Sequence, residues 1–86
     1  MKRHVAVDSK RTFAVVLRPE PEGGFTVRVP ALPEIVTYGA DEAEALAMAK
    51  EAIELSLEYR LSQGEDLPPD EPARMLQVTV DVPAVA

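Results

Sequence analysis

Residues 39–64 read GADEAEALAMAKEAIELSLEYRLSQG, which is the only long helical pattern in the chain. Asp41 occupies the N-cap position and Glu44 follows three residues later, a spacing that predicts a capping box. Gly64 follows the last periodic residue as a C′ glycine, so the pattern predicts a helix over residues 42–63. At 1.5 Å per residue such a helix is roughly 33 Å long, enough to cross a small sheet.

One face of this helix is apolar, because small and aliphatic residues recur at three- and four-residue steps. These residues are Ala45, Leu46, Ala49, Ala52, Ile53 and Leu57. Alanines let a helix lie close against strands, and a bulky side chain at Ala49 is expected to overpack the contact. A second set, Met48, Leu55 and Tyr59, lies off this stripe and either flanks the core or forms a subunit contact.

The remaining chain predicts extended structure. Three stretches rich in β-forming residues precede the helix, at residues 12–18, 25–29 and 34–38. Turns at 19–24 and 30–33 separate them, because proline cannot join a ladder and glycine can adopt positive φ. A fourth strand is predicted at 74–82, where apolar and polar residues alternate. Its apolar members are Leu76, Val78, Val80 and Val82.

The order β-β-β-α-β predicts an α+β fold with two layers, in which one long helix packs on a small mixed four-stranded sheet. We expect residues 1–86 to form a single domain. Residues 1–11 are predicted to be an N-terminal arm or an edge strand. Residues 64–74 are rich in proline and acids, which predicts a semi-rigid connector before the last strand.

Charge and composition narrow the classes of function. Nine basic residues against fifteen acidic ones give a net charge of −6, which disfavours nucleic acid and would attract a basic protein. The chain has no cysteine and no long apolar run at its start, so we expect a cytoplasmic protein without membrane contact. The acids of the predicted turns are the candidate partner contacts. They are Glu20, Glu22, Asp66, Asp70 and Glu71.

No catalytic, cofactor or metal site is predicted. His4 is the only histidine, and Ser9 is the nearest nucleophile for it to activate, with no pocket for either. Two-metal chemistry needs converging carboxylates, yet residues 12–18 have none and Glu54 has only Asp81 as a conceivable partner. We therefore expect a protein that is not an enzyme, and a residual metal-dependent nuclease is the least favoured hypothesis.

Three fragments in order resemble a known family. They are EGGFTVRVPALP at 22–33, TYG at 37–39 and EALAMAKEAI at 44–53. Together they resemble the HicB-like antitoxins over residues 13–69. The resemblance implies a partial ribonuclease H-like fold of the same β-β-β-α-β order. It also implies a partner, a small basic RNA-cleaving toxin of the HicA-like kind, whose active site the antitoxin covers.

The chain differs from the family pattern in two places and is expected to differ in a third. Glu34 and Ile35 stand where many members have a small or cysteine-containing turn. Asp41 replaces the usual serine or threonine cap and is chemically equivalent. Many relatives carry a C-terminal ribbon-helix-helix or helix-turn-helix, whereas this chain, ending at Ala86, is expected to be a stand-alone member without a DNA-binding domain.

Two functional hypotheses follow. The first is a non-enzymatic antitoxin that binds and neutralises a small basic HicA-like toxin. The alternative is an orphan homo-oligomeric scaffold or small-ligand-binding domain without a toxin partner. A dimer or tetramer is expected, because residues 12–18 are apolar on both faces and edge strands invite pairing.

Overall fold

The computed structural model describes residues 10–69 and 74–85. The elements in chain order are β1 (Val16–Pro19), β2 (Phe25–Arg28), β3 (Val36–Gly39) and α1 (Glu42–Ser62). The predicted α+β class is confirmed. Most of the predicted N-terminal arm or edge strand, residues 1–9, lies outside the described residues, as do residues 70–73 of the predicted connector.

The three strands form an antiparallel meander in the order β1-β2-β3. The turn between β1 and β2 depends on two glycines with positive φ, 103° at Gly23 and 76° at Gly24. A side chain at Gly24 would also collide with Tyr38, whose hydroxyl donates a hydrogen bond to the Gly23 carbonyl at 3.0 Å. The turn therefore needs glycine both for its backbone conformation and for space.

All three strands are shorter than predicted, β2 by the single residue Val29. The ladder of β1 begins at Val16 rather than at residue 12. The ladder of β3 begins at Val36, because the preceding residues form successive turns. In these turns the Leu32 N–H bonds to the Val29 carbonyl at 2.9 Å, and the Ile35 N–H bonds to the Leu32 carbonyl at 3.0 Å. Backbone groups that are used in a turn are not available to the sheet.

Both ends of α1 are capped locally. Asp41 Oδ1 accepts the Glu44 N–H at 2.8 Å, which confirms the predicted cap. The Glu44 carboxylate accepts a hydrogen bond from the Ala40 N–H at 2.9 Å, whereas a capping box uses the N–H of the cap residue, Asp41. At the other end Gly64 has a φ of 71°, and the Glu65 N–H reaches the Arg60 carbonyl at 2.9 Å. This is a Schellman motif, and it ends the helix one residue earlier than predicted.

The core lies between α1 and the sheet in two adjoining clusters. One is formed by Val27, Ala45 and Ala49, and the other by Val29, Leu32, Ile35 and Ile53. The helix lies so close to β3 that a side chain at Gly39 would collide with the Ala45 backbone. Leu46 was predicted to lie on the apolar stripe that faces the sheet, but it is 48% exposed and is not part of the core.

The predicted fourth strand is not part of the sheet of a single chain. Residues 74–85 form no ladder with any described residue, and the described sheet is three-stranded and antiparallel rather than four-stranded and mixed. Leu76, Val78, Val80 and Val82 are between 69% and 85% exposed. Alternation predicts an extended, amphipathic segment, but it does not specify which sheet edge would pair with it.

Candidate partner-binding surface

The two turns of the meander lie at opposite ends of the sheet, and α1 runs between them. Pro19 pairs with Phe25 and Phe25 with Gly39, so the β1–β2 turn lies at the end where the helix begins. Glu34, in the β2–β3 turn, is bound by Arg60 near the end of the helix. The turn acids predicted from sequence therefore cannot all share one end of the domain.

Three of the five predicted partner-contact acids lie within the described residues. Glu20 and Glu22 lie in the β1–β2 turn, and Asp66 follows the helix at the opposite end. Glu22 and Asp66 are exposed, whereas Glu20 is half-buried and accepts a hydrogen bond from Thr26 Oγ1 at 3.0 Å. Asp70 and Glu71 lie outside the described residues. A role in partner binding for these acids remains a prediction.

A larger acidic surface lies on α1. The helix carries five glutamates, Glu42, Glu44, Glu51, Glu54 and Glu58. Its two cations already have acidic partners, because Lys50 pairs with Glu54 at 3.1 Å and Arg60 pairs with Glu34 at 2.9 Å. The sequence reasoning weighed the turn acids and missed this surface, although the spacing of residues 51, 54 and 58 signals a single helix side.

Next to these acids lie the three apolar residues that were predicted either to flank the core or to form a subunit contact. Met48 is 37% exposed, Leu55 60% and Tyr59 63%. Glu51 and Glu58 lie beside them at three- and four-residue steps on the helix. We call Met48, Glu51, Leu55, Glu58 and Tyr59 the helix flank. Exposed apolar side chains with two acids beside them resemble a contact surface more than part of the core.

Two shallow, open depressions meet at Tyr59 on this flank. One has a volume of about 350 Å³ and is lined by Glu34, Ser56, Tyr59, Arg60 and Glu65. The other has a volume of about 260 Å³ and is lined by Leu55, Glu58, Tyr59 and Ser62. Open depressions of this kind suit side chains of a protein partner better than an enclosed small ligand.

The first depression contains the most strongly perturbed carboxylate of the described chain. Ser56 Oγ donates to Glu34 Oε2 at 2.6 Å, and Arg60 Nη2 lies 3.0 and 2.9 Å from its two oxygens. These hydrogen bonds, that of Ser56 first, lower the pKa of Glu34 to about 2. The network joins the β2–β3 turn to the helix, which gives a structural role to the position where the chain differs from the family pattern.

The residues considered for metal chemistry do not converge. Glu54 is exposed and paired with Lys50, and Asp81 lies in the exposed 74–85 segment. Within residues 10–69 and 74–85, no group of three acids, histidines or cysteines is arranged to hold a metal ion. His4 lies outside the described residues.

No helix in the described part of the chain combines the length and apolar character needed to cross a bilayer.

Comparison with known proteins adds direct evidence of kinship. No family model matches the chain. The antitoxin HicB 1 of Photorhabdus laumondii is 35% identical over 80 residues, which cover 93% of this chain and 50% of that protein. The antitoxin HicB of Escherichia coli K12 is 32% identical over 71 residues, covering 83% and 51%. A UPF0150 protein of Thermoplasma acidophilum is 36% identical over 58 residues, covering 67% and 84%.

The capped helix on a three-stranded antiparallel sheet, together with these similarities, defines a small α+β domain of the antitoxin type. The chain spans about half the length of the HicB antitoxins that it matches. It belongs to the HicB-like antitoxin family, which confirms the resemblance seen in the sequence.

Proposed function

We propose that this protein is a non-enzymatic antitoxin that binds and neutralises a small basic RNA-cleaving toxin of the HicA-like kind. The observation that carries the proposal is the similarity to a protein named antitoxin HicB 1 over 93% of the chain. The net charge of −6 supports a basic partner, because complementary charge raises the rate of association and disfavours wrong partners. The proposal includes a ribonuclease H-like fold, a cytoplasmic location and no direct contact with nucleic acid.

The helix flank is the part of the described surface that best suits the toxin. Leu55 and Tyr59 supply exposed apolar anchors, and Glu51 and Glu58 beside them supply negative charge. Interfaces commonly combine a few apolar or aromatic anchors with a polar rim that excludes water. Glu20, Glu22, Asp66, Asp70 and Glu71 remain proposed as additional acidic contacts.

The first test is inhibition of RNA cleavage by the cognate toxin. Purified antitoxin added at an equimolar ratio is expected to stop cleavage, and added salt is expected to slow the association because charge steers it. Undiminished cleavage at that ratio would contradict the antitoxin function itself.

The second test concerns the surface and uses matched variants. Leu55→Ala removes an anchor of the helix flank, whereas Val36→Ala removes a side chain of similar exposure from β3, 55% against 60%. Leu55→Ala is expected to weaken toxin binding roughly tenfold, the effect of truncating a side chain worth about 1.4 kcal/mol, and Val36→Ala to leave it unchanged. Equal affinities of the two variants would place the toxin elsewhere while leaving the antitoxin function standing.

The alternative is a homo-oligomeric scaffold without a toxin. It is supported by the exposed apolar side chains of residues 74–85, which are suited to self-association. Affinity purification of the endogenous protein separates the two functions. A small basic protein recovered in stoichiometric amount supports the antitoxin, and recovery of this chain alone supports the scaffold.

A further inference from the structure

Residues 74–85 have no ladder partner among the described residues of a single chain. Leu76, Val78, Val80 and Val82 form one apolar side of this segment, and they are between 69% and 85% exposed. Gln77, Thr79 and Asp81 form the opposite, polar side. The segment has the sequence of a strand with one buried face, yet no described residue pairs with its backbone. Such a strand needs both a ladder partner and an apolar surface to cover.

The β1 side of the sheet lacks what such a strand would supply. β2 pairs with one edge of β1, and no described residue pairs with the other. The helix packs on β2 and β3, so Phe13, Val15 and Leu17 beside the free edge are only half-buried. The β3 edge differs, because the helix lies directly over it with Gly39 against Ala45. On the face of the sheet that α1 covers, the incompletely covered apolar surface is therefore on the β1 side.

The connector leads to this same side. Arg11 Nη1 donates a hydrogen bond to the Pro68 carbonyl, and Leu67 and Pro68 are half-buried. The chain that leaves the helix thus returns to the residues that lead into β1. Consecutive prolines at 68 and 69 stiffen the connector and restrict how sharply it can turn back onto its own sheet.

We infer that residues 74–85 form a fourth strand on the β1 edge of a second copy of this chain, and that the second copy returns its own strand in the same way. Each copy carries an unpaired β1 edge beside half-buried apolar residues and one amphipathic strand, so a two-fold exchange satisfies both copies at once. Side chains alternate between the two faces of a strand, so every second register places the four apolar side chains on the same face as Val15 and Leu17. Gln77, Thr79 and Asp81 then lie on the outer face. The inference does not depend on the existence of a toxin.

Cysteine cross-linking tests the exchange cleanly, because the natural chain has no cysteine. Val16 lies on the outer face of β1, because its ladder partner is the exposed Arg28. The Val16→Cys protein is mixed with a second protein that carries one cysteine in residues 74–85, here called the tail. The tail variants are Gln77→Cys, Thr79→Cys and Asp81→Cys. The two proteins are unfolded and refolded together and then oxidised. Because each protein has one cysteine, a disulfide between positions 16 and 77, 79 or 81 can form only between copies.

We expect one tail position to give a strong heterodimeric cross-link with Val16→Cys, and the other two to give weaker ones. Val36→Cys on the β3 edge is the matched control and is expected to give little product. A stronger cross-link to Val36→Cys would overturn the β1 assignment. In a protein with cysteines at both 16 and 79, closure within the monomer instead of covalent dimers would show that the strand docks on its own chain.

Light scattering on full-length variants supplies an independent test. The chain has a mass of 9.4 kDa, and the natural protein is expected to give at least twice that mass. Val78→Asp places a charge on the apolar side of the strand and is expected to give monomers, whereas Thr79→Asp on the polar side should leave the assembly intact. The buried core excludes residues 74–85, so the Val78→Asp monomer should keep its helical circular dichroism. A monomeric natural protein, or equal masses for the two variants, would contradict the exchange.

Discussion

Ala49 is the position where a single added side chain tests the close contact between helix and sheet. It is 1% exposed and lies in the cluster that includes Val27 and Ala45. Ala49→Leu adds three carbons to a site without space for them, because the neighbouring helix turn already touches β3 at Gly39. Overpacking of this kind costs about 1–3 kcal/mol. For a domain of this size, a loss of 2 kcal/mol lowers the melting temperature by roughly 8–16 °C.

The control is Ala47→Leu, which makes the same substitution on the exposed side of the same helix. Alanine and leucine have similar helix propensities, so Ala47→Leu is expected to change the melting temperature little. The melting temperatures of both variants are measured at one protein concentration from the helical circular dichroism signal. If Ala49→Leu melts within about 2 °C of Ala47→Leu, the contact is loose and the reasoning from burial is refuted.

Two further predictions concern the turns. Because its pKa is lowered from 4.5 to about 2, Glu34 contributes stability that is full above pH 4.5 and is lost as pH falls towards 2. Glu34 is nearly half exposed, so Glu34→Gln should cost no more than about 1 kcal/mol at pH 7 and nothing near pH 2; an equal cost at both would contradict this. Gly23 and Gly24 both have positive φ, but only a side chain at Gly24 would collide with Tyr38. The urea midpoint of unfolding is therefore expected to be lower for Gly24→Ala than for Gly23→Ala. Equal midpoints would contradict the packing argument.

The elements that could be predicted from sequence are those set by neighbouring residues. The helix follows from its apolar periodicity and from the cap formed by Asp41 and Glu44, and its end follows from Gly64. β2 follows from strict alternation, and its predicted range differs from the observed one by a single residue. In each case the deciding interaction spans only a few residues of chain.

The parts that could not be predicted depend on distant residues. The bond between Glu34 and Arg60 joins positions 26 residues apart, and no local pattern signals it. The place of the fourth strand could not be predicted for a related reason, because alternation gives a segment one apolar side but does not specify the sheet edge with which it pairs. The sequence predicts Met48, Leu55 and Tyr59 either to flank the core or to form a subunit contact, and their exposure is decided only by how α1 packs on the sheet.

The position of the core within the described chain has a consequence for the order of assembly. All fully buried core residues of the described chain fall between Val27 and Ile53. Residues 74–85 contribute no side chain to this core, so the core can form before any strand is exchanged. Folding of the core and the proposed strand exchange are then separate events. The first is unimolecular and independent of expression level, and the second is second-order in the number of finished chains.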